Sequence, residues 1–255
     1  IYRILHEHQQ QYHRGKAKNP GKRSAPTSHC AKAANEVWMW DISWLPGPVR
    51  GMYYYLYLIL DLYSRKIVGW EIWEEESAEL ASRLIRKAYM AEGIGLNPQR
   101  KPLILHSDNG SPMKGSTMLE TLYQLGVQPS RSRPRVSNDN PYAESVFRTC
   151  KYRPEYPENG FIDNAAAREW VHRFVRWYNQ EHRHSGLKFL TPQQRHEGAD
   201  VQILEARKRV YEEARRKNPS RWLRGIRNWN LPEEVWLNPE KQGATMLKKP
   251  KAFSG

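Results

Sequence analysis

The sequence predicts a mixed α/β fold, a sheet covered by helices, and three observations carry that prediction. Aromatic and β-branched runs crowd the segment from Val37 to Trp73, strand and helix patterns alternate through Val127, and helical patterns take over after Asn140. The closely spaced early strands point to antiparallel hairpins and argue against a plain doubly wound sheet.

Residues 1–12 open on a short helical pattern (Ile1, Ile4, Leu5) that would close a truncated helical module. Residues 13–36 mix Lys, Gly, Pro, Ser and Asn without periodicity and read as a linker. Regular structure is expected from Val37 to Ser43, then in strands over Tyr53 to Leu60 and Lys66 to Trp73, with a turn from Asp61 to Arg65. A helix over Ser77 to Met90 shows an apolar stripe (Leu80, Leu84, Ile85, Ala88) and takes Ser77 as its N-cap. The strand Leu103 to Leu105 runs into His106-Ser107-Asp108-Asn109-Gly110. A helix over Ser116 to Leu125 is closed by Gly126, and a short strand begins at Val127. After a loop from Ser130 to Asn140, Asn140 and Pro141 mark the cap and first turn of another helix. Asp163 to His182 is the longest helical pattern, with Trp170, Phe174, Trp177 and Tyr178 on one face, and a charged helix follows over 202–217. The stretch up to Trp236 is rich in Pro, Asn and Trp; the basic remainder is expected to be loose.

Composition narrows the function. The chain carries a formal net charge of +14. Between Ile1 and Ala34, seven cations stand against Glu7 alone, and Arg131, Arg133 and Arg135 form a second cluster in a Pro/Ser-rich stretch. A surplus of this sign and distribution draws in a polyanion, most often nucleic acid. No apolar run approaches the roughly 18 residues of a membrane span, since Met52 to Leu60 ends in Asp61. Opening at Ile1 without a basic-then-apolar leader, the chain shows no secretory signal and reads as a piece of a longer protein. Cys30 and Cys150 are too few for a disulfide scaffold or a thiolate zinc site, so a cytoplasmic, nucleoid-associated bacterial protein is expected.

Three carboxylates stand out. Asp41 lies in an apolar strand, where an uncompensated charge is costly. Asp108 ends another apolar strand at a turn, the place where open α/β sheets bind ligands. Glu144 falls early in the helix after Asn140, on the face that also carries Lys151 two turns on, with Phe147 and Arg148 between them. Singly, each has an ordinary reading as a turn former or a helix-dipole partner. Together they would repel unless a hard cation sat among them, and oxygen ligands suit magnesium or manganese, up to two ions flanking a phosphodiester. Other chemistries lack their signatures: HExxH, Walker and GxGxxG motifs are absent, the histidines (His172, His182, His184, His196) are scattered, and Ser107 and Ser111 lack a nucleophile elbow. His106 reads as a satisfied near-surface histidine.

With these residues in place the sequence resembles the catalytic protein of IS3-type bacterial insertion-sequence transposases, within the retroviral-integrase-like DDE superfamily. Its three acids correspond to Asp41 in Trp40-Asp41-Ile42-Ser43, Asp108 in His106-Ser107-Asp108-Asn109-Gly110, and Glu144 after Asn140-Pro141-Tyr142-Ala143. The last two are separated by 35 residues, positions 109 through 143, and Lys151 stands seven after the glutamate. Trp177-Tyr178-Asn179, His182 to Leu187 and Leu190-Thr191-Pro192 resemble the family's closing signature, and the likeness runs from about Asn35 to Gly198. Ser43 replaces a common threonine and keeps the hydroxyl.

The resemblance implies an RNase H-like mixed sheet flanked by helices, two Mg²⁺ ions (Mn²⁺ substituting) on Asp41, Asp108 and Glu144, and strand joining by a 3′-hydroxyl without a covalent enzyme intermediate. It implies DNA as partner (element terminal repeats and target), a homo-oligomer on that DNA, and an upstream helix-turn-helix region or protein. The expected division is a basic arm and linker over 1–34 with the remnant of a helical DNA-binding region, a catalytic domain over 35–198, and a helical, Pro/Trp-rich basic extension over 199–255. Lys151, Arg148, Arg131, Arg133, Arg135 and Asn140 are the expected DNA contacts, with Asn140 and Asn109 also suited to orienting carboxylates. A hydrolytic nuclease and an inactive DNA-binding remnant are the rival readings; the first would leave cut ends without joined strands, the second no metal-dependent cleavage.

Overall fold

The computed structural model describes residues 2–8, 27–97, 99–108, 110–133 and 139–239. Its centre is a five-stranded sheet in the order β4-β3-β2-β5-β6. The strands are β2 (Val37–Pro46), β3 (Tyr53–Asp61), β4 (Ile67–Trp73), β5 (Ile104–Ser107) and β6 (Gln128–Arg131). β2, β3 and β4 form an antiparallel meander, whereas β5 and β6 run parallel to β2 and each other. Parallel partners need crossovers, and α2 (Ala78–Ala91) and α3 (Ser116–Gln124) lie in the connections before β5 and β6. Ser77 caps α2, accepting from Leu80 N, and Gly126 follows α3 with φ of 65°.

The sheet is apolar on both sides because helices cover both. Trp38 and Trp40 of β2 pack with Tyr57, Leu84, Ile85 and Met118 on the side of α2 and α3. Their neighbours Val37, Met39 and Leu45 point the other way, into a core built with α4 (Pro141–Lys151) and α5 (Asn164–Gln180). On α5, capped by Asp163, Trp170 stacks on Phe174 with centroids 5.7 Å apart. The segment between α4 and α5 is fastened to the β2–β3 hairpin, where Phe161 N donates to Pro46 O at 2.9 Å. Gly160 makes this possible: its φ is +80°, and a Cβ there would stand 2.8 Å from Pro46 O and nearer still to Gly47 O. Gly160→Ala should therefore cost about 2–4 kcal/mol. Urea unfolding checks this, and an unchanged midpoint would contradict the packing.

Two regions differ from expectation. The segment read as a linker contains β1 (His29–Ala31), and β7 (Val235–Leu237) straddles the point where the Pro/Asn/Trp-rich stretch was expected to give way to a loose tail; the two pair antiparallel, His29 opposite Leu237. Ala31 and Leu237 are fully buried and join the α4/α5 core, which explains why three residues suffice to fix each strand. Asn238 Nδ2 donates to Asp139 O at 2.9 Å and Tyr142 Oη to Trp236 O at 3.2 Å, so this clasp grips the entry to α4. Beyond α5 come α6 (Pro192–His196) and α7 (Asp200–Lys217), and a third cluster packs Leu204 of α7 and Trp229 with Leu187 and Leu190. Among the described residues no helix is long and apolar enough to cross a membrane. The short helix α1 (Tyr2–Glu7) occupies the opening helical pattern.

Candidate active site

Alternation along β2 places Asp41 on the same side as Met39 and Leu45, facing α4. β5 runs beside β2 with Trp40 opposite Ser107, so Asp108, the next residue, emerges level with Asp41. α4 starts at Pro141 with Asn140 as its cap and buries Ala143, Val146, Phe147 and Cys150, which leaves Glu144 exposed in its first turn. Asn140 is itself buried, and its Nδ2 donates to Trp40 O at 3.2 Å. The start of the helix carrying Glu144 is thereby tied to the peptide unit joining Trp40 to Asp41.

The three carboxylates meet electrostatically. Burial pushes the Asp41 carboxyl up to about 7, the negative charge of Asp108 adds to this, a hydrogen bond from Ile42 N at 2.8 Å opposes it, and Glu144 and Glu76 push it further. Asp108 is exposed and its Oδ1 accepts from Gly110 N at 2.9 Å. Among the described residues no three His, Cys, Asp or Glu side chains are drawn tightly enough to cage an ion. The charges of Asp108 and Glu144 nonetheless both reach Asp41. The donor chemistry fits a hard divalent cation: all three offer oxygen, and Asp41 stands in a surplus of negative charge.

The expected DNA contacts divide. Lys151 and Arg148 are exposed on α4. Partial burial lowers the Lys151 ammonium below its usual range, and the charge of Asp41 opposes that, which puts Lys151 beside the site. Arg131 is half-buried and its Nη2 donates to Met113 O at 3.4 Å. Arg133 is expected on DNA, yet its guanidinium engages Asp139 through Nε at 3.0 Å and Nη2 at 2.9 Å. Asp139 is buried, so this pair holds the loop's two ends together. Asn140, also expected on DNA, spends its amide on Trp40 instead. Arg135 and Asn109 lie outside the described residues.

Sequence reasoning missed two features. Glu76 is hydrogen-bonded by Trp44 Nε1 at 2.7 Å and its charge reaches Asp41; the run Glu74-Glu75-Glu76 at the end of β4 was the available signal. His106 is fully buried rather than near-surface. Its Nδ1 lies 2.9 Å from Ser130 Oγ, its Nε2 3.3 Å from Ser132 Oγ, and His29 Nε2 lies 2.6 Å from the same Ser130 oxygen. Burial and the His29 charge lower its pKa to about 4, so the ring is neutral near pH 7 and braces the strand end ahead of Asp108. Ser107 is fully buried and donates to Asp108 O at 2.8 Å, an arrangement that removes it as a nucleophile. His184 Nδ1 accepts from Gly186 N and His196 bonds Ser64 and Glu92, so these histidines serve local structure.

Two sequence-family models, both described as integrase core domain, match the chain, one over residues 31–137 and the other over 125–192. The transposase for insertion sequence element IS904 of Lactococcus lactis subsp. lactis (strain IL1403) is 32% identical over 163 residues, covering 64% of this chain and 61% of that protein. The putative transposase InsK for insertion sequence element IS150 of Escherichia coli (strain K12) is 26% identical over 162 residues, covering 64% of this chain and 54% of that protein. The chain thus spans less than two thirds of the length of these relatives. Among solved structures, a chain of the simian T-cell lymphotropic virus intasome in complex with PP2A regulatory subunit B56 gamma superposes with a TM-score of 0.51 at 14% identity, over 70% of this chain and 60% of that one. The mixed sheet flanked by helices is the RNase H-like fold.

Proposed function

Because the chain belongs to the integrase core domain family, among the IS3-type transposases, we propose that it cleaves the ends of an insertion element and joins them to target DNA. The observation that carries this reading is the electrostatic convergence of Asp108 and Glu144 on Asp41 at the end of the sheet. Asp41, Asp108 and Glu144 are the residues that would hold two magnesium ions, with manganese able to substitute. Bound there, such ions ready the attacking oxygen and neutralise charge on the departing one.

The protein's own groups do the rest. Asp41, whose carboxyl feels both other acids, must give up its proton before it can bind a cation. Asn140 and the Arg133–Asp139 pair fix where α4 starts, and so where Glu144 stands. Lys151 and Arg148, exposed on α4, are suited to phosphate oxygens, where they orient the backbone without reading sequence. With Ser107 tied to the backbone, the attacking oxygen belongs to water or to a DNA 3′-hydroxyl. The active unit is a homo-oligomer assembled on element-end and target DNA.

Incubation of the protein, joined to its upstream region, with labelled element ends and Mg²⁺ tests the reading. Joined strands are expected; cut ends alone would identify a nuclease instead. Proton release gives a second check. Cation binding should displace the Asp41 proton, so apparent Mg²⁺ affinity should climb between about pH 6 and 8. Calorimetry in buffers of different ionisation enthalpy reads the released proton directly, and a pH-independent affinity with no release would count against Asp41 as a ligand.

A further inference from the structure

Half of the chain's excess charge lies where neither family model reaches. Residues 207–227 hold nine Lys and Arg against Glu212 and Glu213, a surplus of seven out of +14. Two of the nine serve the fold: Arg207 donates to Lys188 O at 2.8 Å and Phe189 O at 3.2 Å, and Arg227 lies over the Phe189 and Trp229 rings. Arg215, Arg216, Lys217, Arg221 and Arg224 are exposed and have no ion-pair partner within 4 Å among the described residues. Favourable placement at a helix C-terminus accounts for the first three, in the last turn of α7. It does not account for Arg221 and Arg224, which lie past the helix and are exposed in the turn that follows it.

Tyr211, one turn before Arg215, meets the Trp222 and Trp229 rings edge-on with centroids 5.6 and 5.0 Å away, which holds the basic end of α7 in place. Leu204 of α7 packs with Leu187, Leu190 and Trp229, and the guanidinium of Arg195 is buried against Asp200 while donating to Pro232 O at 2.9 Å. Exposed cations without counter-charge on a fixed support raise their own electrostatic energy, and a polyanion relieves it. Guanidinium groups in particular match phosphate geometry. We infer that the end of α7 and the turn after it form a second duplex-DNA surface, separate from the acidic site, that grips phosphates. The inference rests on reading the chain as a protein that acts on DNA, and it places affinity in the extension and chemistry in the sheet.

The test uses the whole chain with a random-sequence duplex in EDTA, so that no cleavage intervenes, and follows fluorescence anisotropy against salt. Replacing Arg216, Lys217, Arg221 and Arg224 by Gln should lower the salt-dependence slope by about 2 to 4 and weaken binding about tenfold or more near 0.1 M salt. Replacing Arg50, Arg83, Lys101 and Arg176, also exposed, by Gln removes the same charge elsewhere and should change the slope by less than about 1. Arg216→Lys with Arg221→Lys and Arg224→Lys should keep the original slope. Should the fourfold variant melt early, Arg221→Gln with Arg224→Gln, which breaks no side-chain hydrogen bond among those found, should still lower it by about 1 to 2. An unchanged slope, an equal fall in the control, loss of slope in the lysine variant, or tighter binding of an RNA duplex of equal length would each overturn the inference. Failure of the wild-type protein to join strands with Mg²⁺ would sink the proposed function and leave these slopes as they are.

Discussion

Asp41→Asn is expected to abolish strand cleavage and joining while making the metal-free protein more stable. The activity loss should be about 10³-fold or greater, because the proposed function makes Asp41 one of the three oxygen donors to the cations. The gain in stability follows from the titration. With its carboxyl raised from 3.8 to about 7 in the folded chain, Asp41 binds its proton more tightly there than when unfolded. That contribution is fully present below about pH 4 and is lost as pH rises through about 7. Asparagine has no proton to lose, so the variant should gain on the order of 4 kcal/mol at pH 8 and little at pH 4. Thermal melts at the two pH values in EDTA, beside a joining assay on labelled DNA, read both effects. Asp108→Asn and Glu144→Gln should lose activity similarly, and by relieving repulsion they should lower the Asp41 pKa. Joining at the wild-type rate by any of the three would remove that residue from the site.

Asp61→Ala should cost about 3–5 kcal/mol and leave the chemistry of the folded fraction intact. The Asp61 carboxylate is fully buried at the end of β3 and accepts from Asn35 N at 2.7 Å, Ser64 N at 2.8 Å and Ser64 Oγ at 2.6 Å. Removing it strands three buried donors. It also strips a partner from His196, whose Nδ1 lies 3.8 Å away and whose Nε2 lies 2.7 Å from Glu92. Burial lowers the His196 pKa, but the nearby Asp61 carboxylate and the hydrogen bond with Glu92 outweigh it and raise the net value. Glu92 shows the converse: burial pushes it up, while His196 and Lys66 bring it down to about 2. Urea unfolding with imidazole titration by NMR would show the stability loss together with a fall in the His196 pKa. A midpoint within experimental scatter of wild type would mean the carboxylate is dispensable.

The main sheet was readable because β2 and β3 are apolar on both faces, a pattern only a covered sheet explains. The helix stripes, with Ser77 as a cap, fixed α2 and α5 to within a few residues. The acids could be picked out one by one, but their mutual influence depends on the β2–β5 register, which no local pattern encodes. β1 and β7 were illegible for the same reason: each spans three residues, and each is a strand only because the other lies beside it. Asn140 was legible as a helix cap, but its tie to Trp40 was not, since that bond spans 100 residues of sequence.

The β1–β7 clasp also sets how mechanical load would travel through the protein. His29 leads through Ser130 to His106, two positions before Asp108, while Asn238 leads through Asp139 to the entry of the helix bearing Glu144. Load on either strand of the clasp is therefore carried by hydrogen bonds to the segments that bear two of the three acids.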